Sequence, residues 1–176
     1  MPTPATLASL WDFSLALYAQ PGVAEACLRL QDEQGINVNL LLWCVWLECK
    51  GLALDTTRLQ DAERRIRGWD HHYVVPLRHL RRRLKAEFGT GDTAIDALRK
   101  QIQQAELAAE QQVQWQLQAL TQQWMEQTQA GEAAPTAVDS GAMDGKNLRR
   151  YLDNAGVNRG AIDSLLQCLT GALRNI

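Results

Sequence analysis

The chain of 176 residues lacks every short motif that would announce a chemistry. GxSxG, the P-loop, HExxH and GxGxxG are all missing, which removes the usual hydrolase, phosphate-cradling, zinc-protease and dinucleotide signatures. Long apolar runs are missing too. The longest, Leu40 to Leu47, falls far short of the ~20 residues that cross a bilayer, so no membrane partner is expected. No basic segment leads into an apolar run near Met1, and no secretory signal is expected. Cysteine is sparse and unpatterned: among Cys27, Cys44, Cys49 and Cys168 there is no CxxC, the middle two being five apart. These are expected to be buried free thiols of a cytoplasmic protein, with no structural metal and no cofactor. An excess of positive charge is likewise absent, and a net charge of −2 argues against a general nucleic-acid coat protein.

What remains is ordinary for one globular domain: 46% hydrophobic and 22% charged residues, on a length that buries about 70% of its unfolded surface. Apolar residues recur at helical spacing nearly throughout, predicting an all-α bundle of about six to eight helices. Thr3 and Pro4 can open the first helix, with Leu7, Leu10, Trp11, Leu15 and Tyr18 on one side. Pro21-Gly22 breaks it, and Val23, Ala26, Cys27 and Leu30 stripe the second as far as Gly35. Asn37 or Asn39 can cap a third helix ending at Lys50-Gly51. It is apolar nearly all round and should be the central buried element. Asp55 or Thr56 begins a fourth with Leu59, Ala62, Ile66 and Trp69 on its apolar side, and Pro76 forces a bend or restart near Val75.

After a segment reaching Phe88, Asp92 or Thr93 caps a long Gln-rich helix to Gln129. Its apolar positions are Ile95, Leu98, Ile102, Ala105, Ala109, Val113, Leu117, Leu120 and Trp124, and Gln and Glu dominate its other face. It is expected to be either a lid across the bundle or half of a coiled coil. Residues 1–129 therefore read as the bundle, 130–143 as a flexible linker, and 144–176 as a helical pair expected to dock on it.

Charge is uneven. Between Arg58 and Glu87 nine Lys/Arg face four acids, a local +5 that leaves −7 for the remainder. The Arg81-Arg82-Arg83 run is either a solvated face paired with acidic helices or a patch for an acidic or phosphate-bearing partner. Gly68-Trp69-Asp70-His71-His72 is the best catalytic candidate, since an Asp can orient a His base. Neighbouring helical residues point about 100° apart, however, so both His cannot serve one site. Trp11, Trp43 and Trp46 suit a ligand cavity or, as large aromatics at helical spacing generally do, a core.

Several segments carry a resemblance: WDFSLALY, the PGV and LQD elements up to Gly35, VNLLLW, and the stretch from Trp69 through Pro76-Leu77-Arg78 and Arg82 to Lys85. Together they resemble an uncharacterised family of proteobacterial proteins, including those of pseudomonads and vibrios, known only as a domain of unknown function. The similarity spans Leu10 to about Gln129. It implies a bacterial cytoplasmic setting and brings no activity, cofactor or catalytic residue with it.

One part of that pattern is physically odd, because polar Gln31, Asp32, Asn37 and Asn39 sit between apolar helices where a short turn would do. Capping is one role. The other sets Gln31, Asp32 and Asn39 beside the Arg78, Arg82 and Lys85 face as a polar pocket for a small anion or a peptide. The candidate surface is thus Arg78, Arg81, Arg82, Arg83, Lys85, Gln31, Asp32 and Asn39. The sequence points to a non-enzymatic interaction or regulatory protein, monomer or homodimer, that binds an unknown protein partner through the basic face or the Gln/Glu helix. Nucleic-acid binding through Arg78 to Lys85 is the alternative, ahead of a small helical enzyme or ligand carrier.

Overall fold

The computed structural model describes residues 9–129 and 144–176. The sequence-based helix start at Thr3 and Pro4 and the linker at 130–143 lie outside them. The described residues form an all-α bundle: α1 (Leu10–Tyr18), α2 (Val23–Gln34), α3 (Val38–Cys49), α4 (Thr56–Trp69), a π-helical turn (Asp70–Val74), α5 (Val75–Phe88), α6 (Thr93–Gln129), α7 (Lys146–Asn154) and α8 (Arg159–Leu173). None of these helices is long and apolar enough to cross a membrane.

The starts follow side-chain capping, which satisfies backbone N–H groups that have no partner inside the helix. Ser9 accepts from the Asp12 N–H, Asp55 from Arg58, Asp92 from Ala94 and Ile95, and Asn158 from Ala161. Before α3 the cap is Asn37, whose Oδ1 accepts from the N–H groups of Asn39 and Leu40. Asn39 is therefore free for another role. Gly35 ends α2 at a φ of 67°, a left-handed conformation that costs glycine little.

Helix α3 occupies the centre, with every residue from Leu40 to Leu47 buried. Trp43 is wholly enclosed, and its indole N–H donates to Thr121 Oγ1 at 2.9 Å. Helix α6, roughly 55 Å long at 1.5 Å per residue, packs along α5, α4, the π-helical turn, α1 and α3. It is a spine of its own bundle. Its buried stripe corrects the apolar pattern: Ile102, Ala109, Val113 and Leu117 are inside, but so are Glu106, Gln114 and Thr121, whereas Leu98 and Ala105 are exposed. Polar residues can enter because each finds partners there, as described below for Glu106 and Gln114.

The π-helical turn has a cause in Pro76. Proline has no N–H to offer the carbonyl four residues back, and its ring presses on that carbonyl, so the preceding turn widens. The Val75 N–H accordingly donates to Asp70, five residues back. Trp69 pins the widened segment to the spine, its indole N–H donating to the Ala109 carbonyl at 2.9 Å.

Helix α7 packs on α3 and α8 on α2. The Glu48 carboxylate accepts from the N–H groups of Gly145 (3.1 Å) and Asn147 (2.5 Å) at the start of α7. Gly145 is required there, since its φ is 73° and a Cβ would come within 2.5 Å of Leu166. Two expectations fail at the surface. Leu15 is exposed, and of the four free thiols only Cys27 and Cys44 are buried, Cys49 being exposed and Cys168 partly so.

Candidate binding groove

Helices α1, α2, α3, α5 and α6 surround a groove of about 370 Å³. Its polar wall joins two ladders. Arg78 and Arg81, three apart on α5, meet Glu106 and Glu110, four apart on α6. Arg78 donates through Nε to Glu106 Oε1 (3.2 Å) and through Nη2 to Glu110 Oε1 (2.7 Å), while Arg81 donates to both Glu106 oxygens. Two cations therefore face two carboxylates, and the wall is electrically neutral.

Ion pairing and burial together set the titration of this wall. The hydrogen bond to Glu106 holds the Arg81 guanidinium more firmly protonated. Burial pushes the Glu110 carboxyl above its ordinary range against the pull of Arg78. Tyr18, also lining the groove, is pushed up to about 12, first by burial and then by nearby Cys27 and Glu110.

Two buried amides form part of the floor. Gln114 Nε2 donates to Asn39 Oδ1 at 3.0 Å. The other amide atom of Gln114, Oε1, and the hydroxyl of Ser14 are buried without a protein partner, although both residues line the groove. Around the mouth stand Leu15, Leu28 and Leu107, exposed by 47, 41 and 47%. Trp11, Val38 and Leu42 complete the apolar wall.

Gln31 and Asn39 thus share one groove with Arg78 and Arg81. Asp32 and Arg82 pair with each other at 2.7 Å outside the lining. Arg83 approaches Glu87 at 3.7 Å, and Lys85 is an exposed residue away from the lining. Consecutive helical residues diverge by about 100°, so Arg81, Arg82 and Arg83 enter three separate ion pairs. The three consecutive cations form no single basic face. An anion-binding pocket built on Arg78 needs uncompensated charge, and Glu106 and Glu110 remove it.

Sequence reading missed Ser14, Glu106, Glu110 and Gln114. The signal was present as Glu106, Glu110 and Gln114 at four-residue intervals along one line of α6, opposite an Arg pair at spacing three. Choosing the apolar stripe of α6 first hid it.

The candidate catalytic residues sit elsewhere. Asp70 and His71 line a second, open cleft of about 390 Å³ with Glu63, Arg67 and Tyr151. Asp70 Oδ1 accepts from Asn37 Nδ2 at 3.0 Å, and burial raises its carboxyl against the opposing effects of Arg78 and Asn37. That aspartate ties the α3 cap to the π-helical turn. His72 turns away, its Nδ1 lying 2.6 Å from the Gly68 carbonyl. Trp43 and Trp46 belong to the core, and only Trp11 of the three reaches the groove. Among the described residues, no group of three or more His, Cys, Asp and Glu is arranged to hold a metal ion.

Residues 9–117 match the family described as Protein of unknown function (DUF2390), and the chain belongs to that family. No curated protein and no solved structure matches it. Every residue that lines the groove falls inside the matched segment, whereas α7 and α8 fall beyond it.

Proposed function

We propose that this protein is a non-enzymatic interaction protein of the bacterial cytoplasm, and that it docks a protein partner over the groove between α5, α6 and α1. The observation that carries the reading is the grouping of Leu15, Leu28 and Leu107 around one concavity. Scattered exposed leucines need no explanation, but apolar residues gathered at the mouth of a groove are the usual form of a docking surface. The neutral ion-paired wall supports a protein partner over nucleic acid, whose binding depends on cations free to meet phosphates.

The test is partner recovery by the full chain from native lysate, with and without nuclease. Two variants are compared: Leu15→Glu/Leu28→Glu/Leu107→Glu, and Arg82→Glu/Arg83→Glu/Lys85→Glu. Arg81 is left alone because reversing it would set a second carboxylate against buried Glu106. The expected result is one protein, resistant to nuclease, lost with the leucine variant and retained with the charge variant. Retention by the leucine variant refutes the groove as the docking surface. Nucleic acid that is lost with the charge variant would establish the alternative.

A further inference from the structure

Opposite its buried stripe, α6 carries an exposed face with no charge on it. Between Gln101 and Met125 the charged residues are Glu106 and Glu110, and both are turned inward to Arg78. A solvated helix face ordinarily carries charge, but this one consists of Gln, Ala and a single Trp. Trp115 is 53% exposed; Gln101, Ala105, Ala108 and Gln122 are exposed too, with Gln112 and Ala119 partly so. From Gln101 to Gln122 the face advances by alternate steps of four and three residues, the spacing that keeps one helix in contact along another. None of these residues lines the groove.

We infer that this face is the seam of a two-fold dimer, in which α6 packs antiparallel against α6 of a second copy. The order of residues along it is self-complementary when one copy is turned end for end about Gln112. Gln112 then faces Gln112, Gln101 faces Gln122, Ala105 faces Ala119, and Trp115 faces Ala108. An amide both donates and accepts, so a Gln can bond its own counterpart, which a charged side chain cannot do. The one bulky residue meets a small one, and the remaining alanines let the two helix axes approach closely.

A parallel pairing would instead set Trp115 against Trp115 and hold the alanines apart. Charge at the ends agrees with the antiparallel order. Exposed Lys100 and Glu126 flank the seam, and reversal brings each toward its opposite on the other copy, whereas parallel helices would set like against like. A two-fold interface joins two identical surfaces and makes every contact twice, which is the condition this order meets. A different protein would not require the face to match itself.

Sedimentation equilibrium of the full chain tests the seam. It should show monomer and dimer with a dissociation constant on the order of 10 μM, because the two Trp115 side chains are the only large apolar groups the contact covers. Ala108→Glu sets a carboxylate against each Trp115 and should weaken the dimer by more than about tenfold. The melting temperature of dilute protein should stay unchanged in that variant, since Ala108 is exposed. Under mild oxidation Gln112→Cys should cross-link to its own copy above the background of the native cysteines, and Gln101→Cys should not.

A chain that stays monomeric up to about 300 μM, or a dimer that survives Ala108→Glu, overturns the inference. Cross-linking at both positions would mean parallel helices, and at neither a different face, and each overturns the antiparallel seam. Partner recovery through the groove concerns another side of α6, so either reading can fail without the other.

Discussion

Replacing Glu106 by alanine tests the groove wall most directly. The Glu106 side chain is 7% exposed and accepts from Arg78, itself 15% exposed, and from Arg81, 29% exposed. Breaking a fully buried pair by deleting one partner costs about 3–5 kcal/mol, because the other charge is stranded. Here the loss is smaller. Arg78 keeps Glu110 at 2.7 Å, and Arg81 is near enough to solvent to be partly rehydrated. The expected cost is therefore about 2–3 kcal/mol, bounded above by the stranded-charge figure and below by a lost charged hydrogen bond. At roughly 2–4 °C per kcal/mol for a chain of this length, the melting temperature should fall by about 5–10 °C.

Urea unfolding supplies the measurement, with the midpoint expected to move and the slope to stay constant. The exposed Asp61–Arg64 pair on α4 is the internal control, and Asp61→Asn should change stability by no more than about 0.5 kcal/mol. If Glu106→Ala costs less than about 1 kcal/mol, the wall behaves as a screened surface pair. The arginines would then be available to an anionic partner, and the reasoning against an anion pocket would be wrong.

Asn37→Ala should cost about 1–2 kcal/mol by thermal unfolding, since it removes the α3 cap and the bond to Asp70, and a loss below 0.3 kcal/mol or so would deny it both roles. Burial raises the carboxyls of Glu48, Asp70 and Glu110, so each holds its proton more tightly in the fold than in the unfolded chain. Their contribution is complete below about pH 4 and is lost as pH rises through the folded values. Glu110→Gln should therefore gain stability relative to the parent as pH increases, and melting curves showing a pH-independent difference would refute the burial argument. Cys27 is pushed up to about 12 by burial and Cys44 is raised by the same cause, so a thiol reagent should label at most two cysteines in the native protein and four after unfolding. Fast native labelling of Cys27 or Cys44 would contradict their placement.

Several element boundaries were legible because their causes are local. Asp55 and Asp92 cap the helix that follows through backbone groups two or three residues away, and Gly35 terminates α2 through its own backbone freedom. Pro76 disturbs the turn before it by the same short-range sterics. Helix α3, apolar all round from Leu40 to Leu47, had to be central because that stretch has no face to show to water. Helical class, the buried third helix and the restart at Val75 thus follow from interactions spanning a few residues.

The groove depends on partners far apart in sequence. Arg78 and Glu106 are 28 residues apart, Asn39 and Gln114 are 75, and Leu10 and Gln118, which join α1 to the spine, are 108. Periodicity assigns a glutamate or glutamine to the outside because burying one alone is costly. That cost vanishes only when another helix brings a guanidinium or an amide to meet it, and no local pattern encodes the meeting. The arginine run shows the same limit from the other side. Three adjacent cations form one patch along a sequence, yet on α5 they diverge by about 100° at each step; tertiary packing brings Arg81 a carboxylate from α6 and Arg82 one from α2, while Arg83 meets Glu87 one turn on along α5 itself. Local chemistry decides which segments are helices and where they begin, whereas the character of the surface they enclose comes from which helices meet.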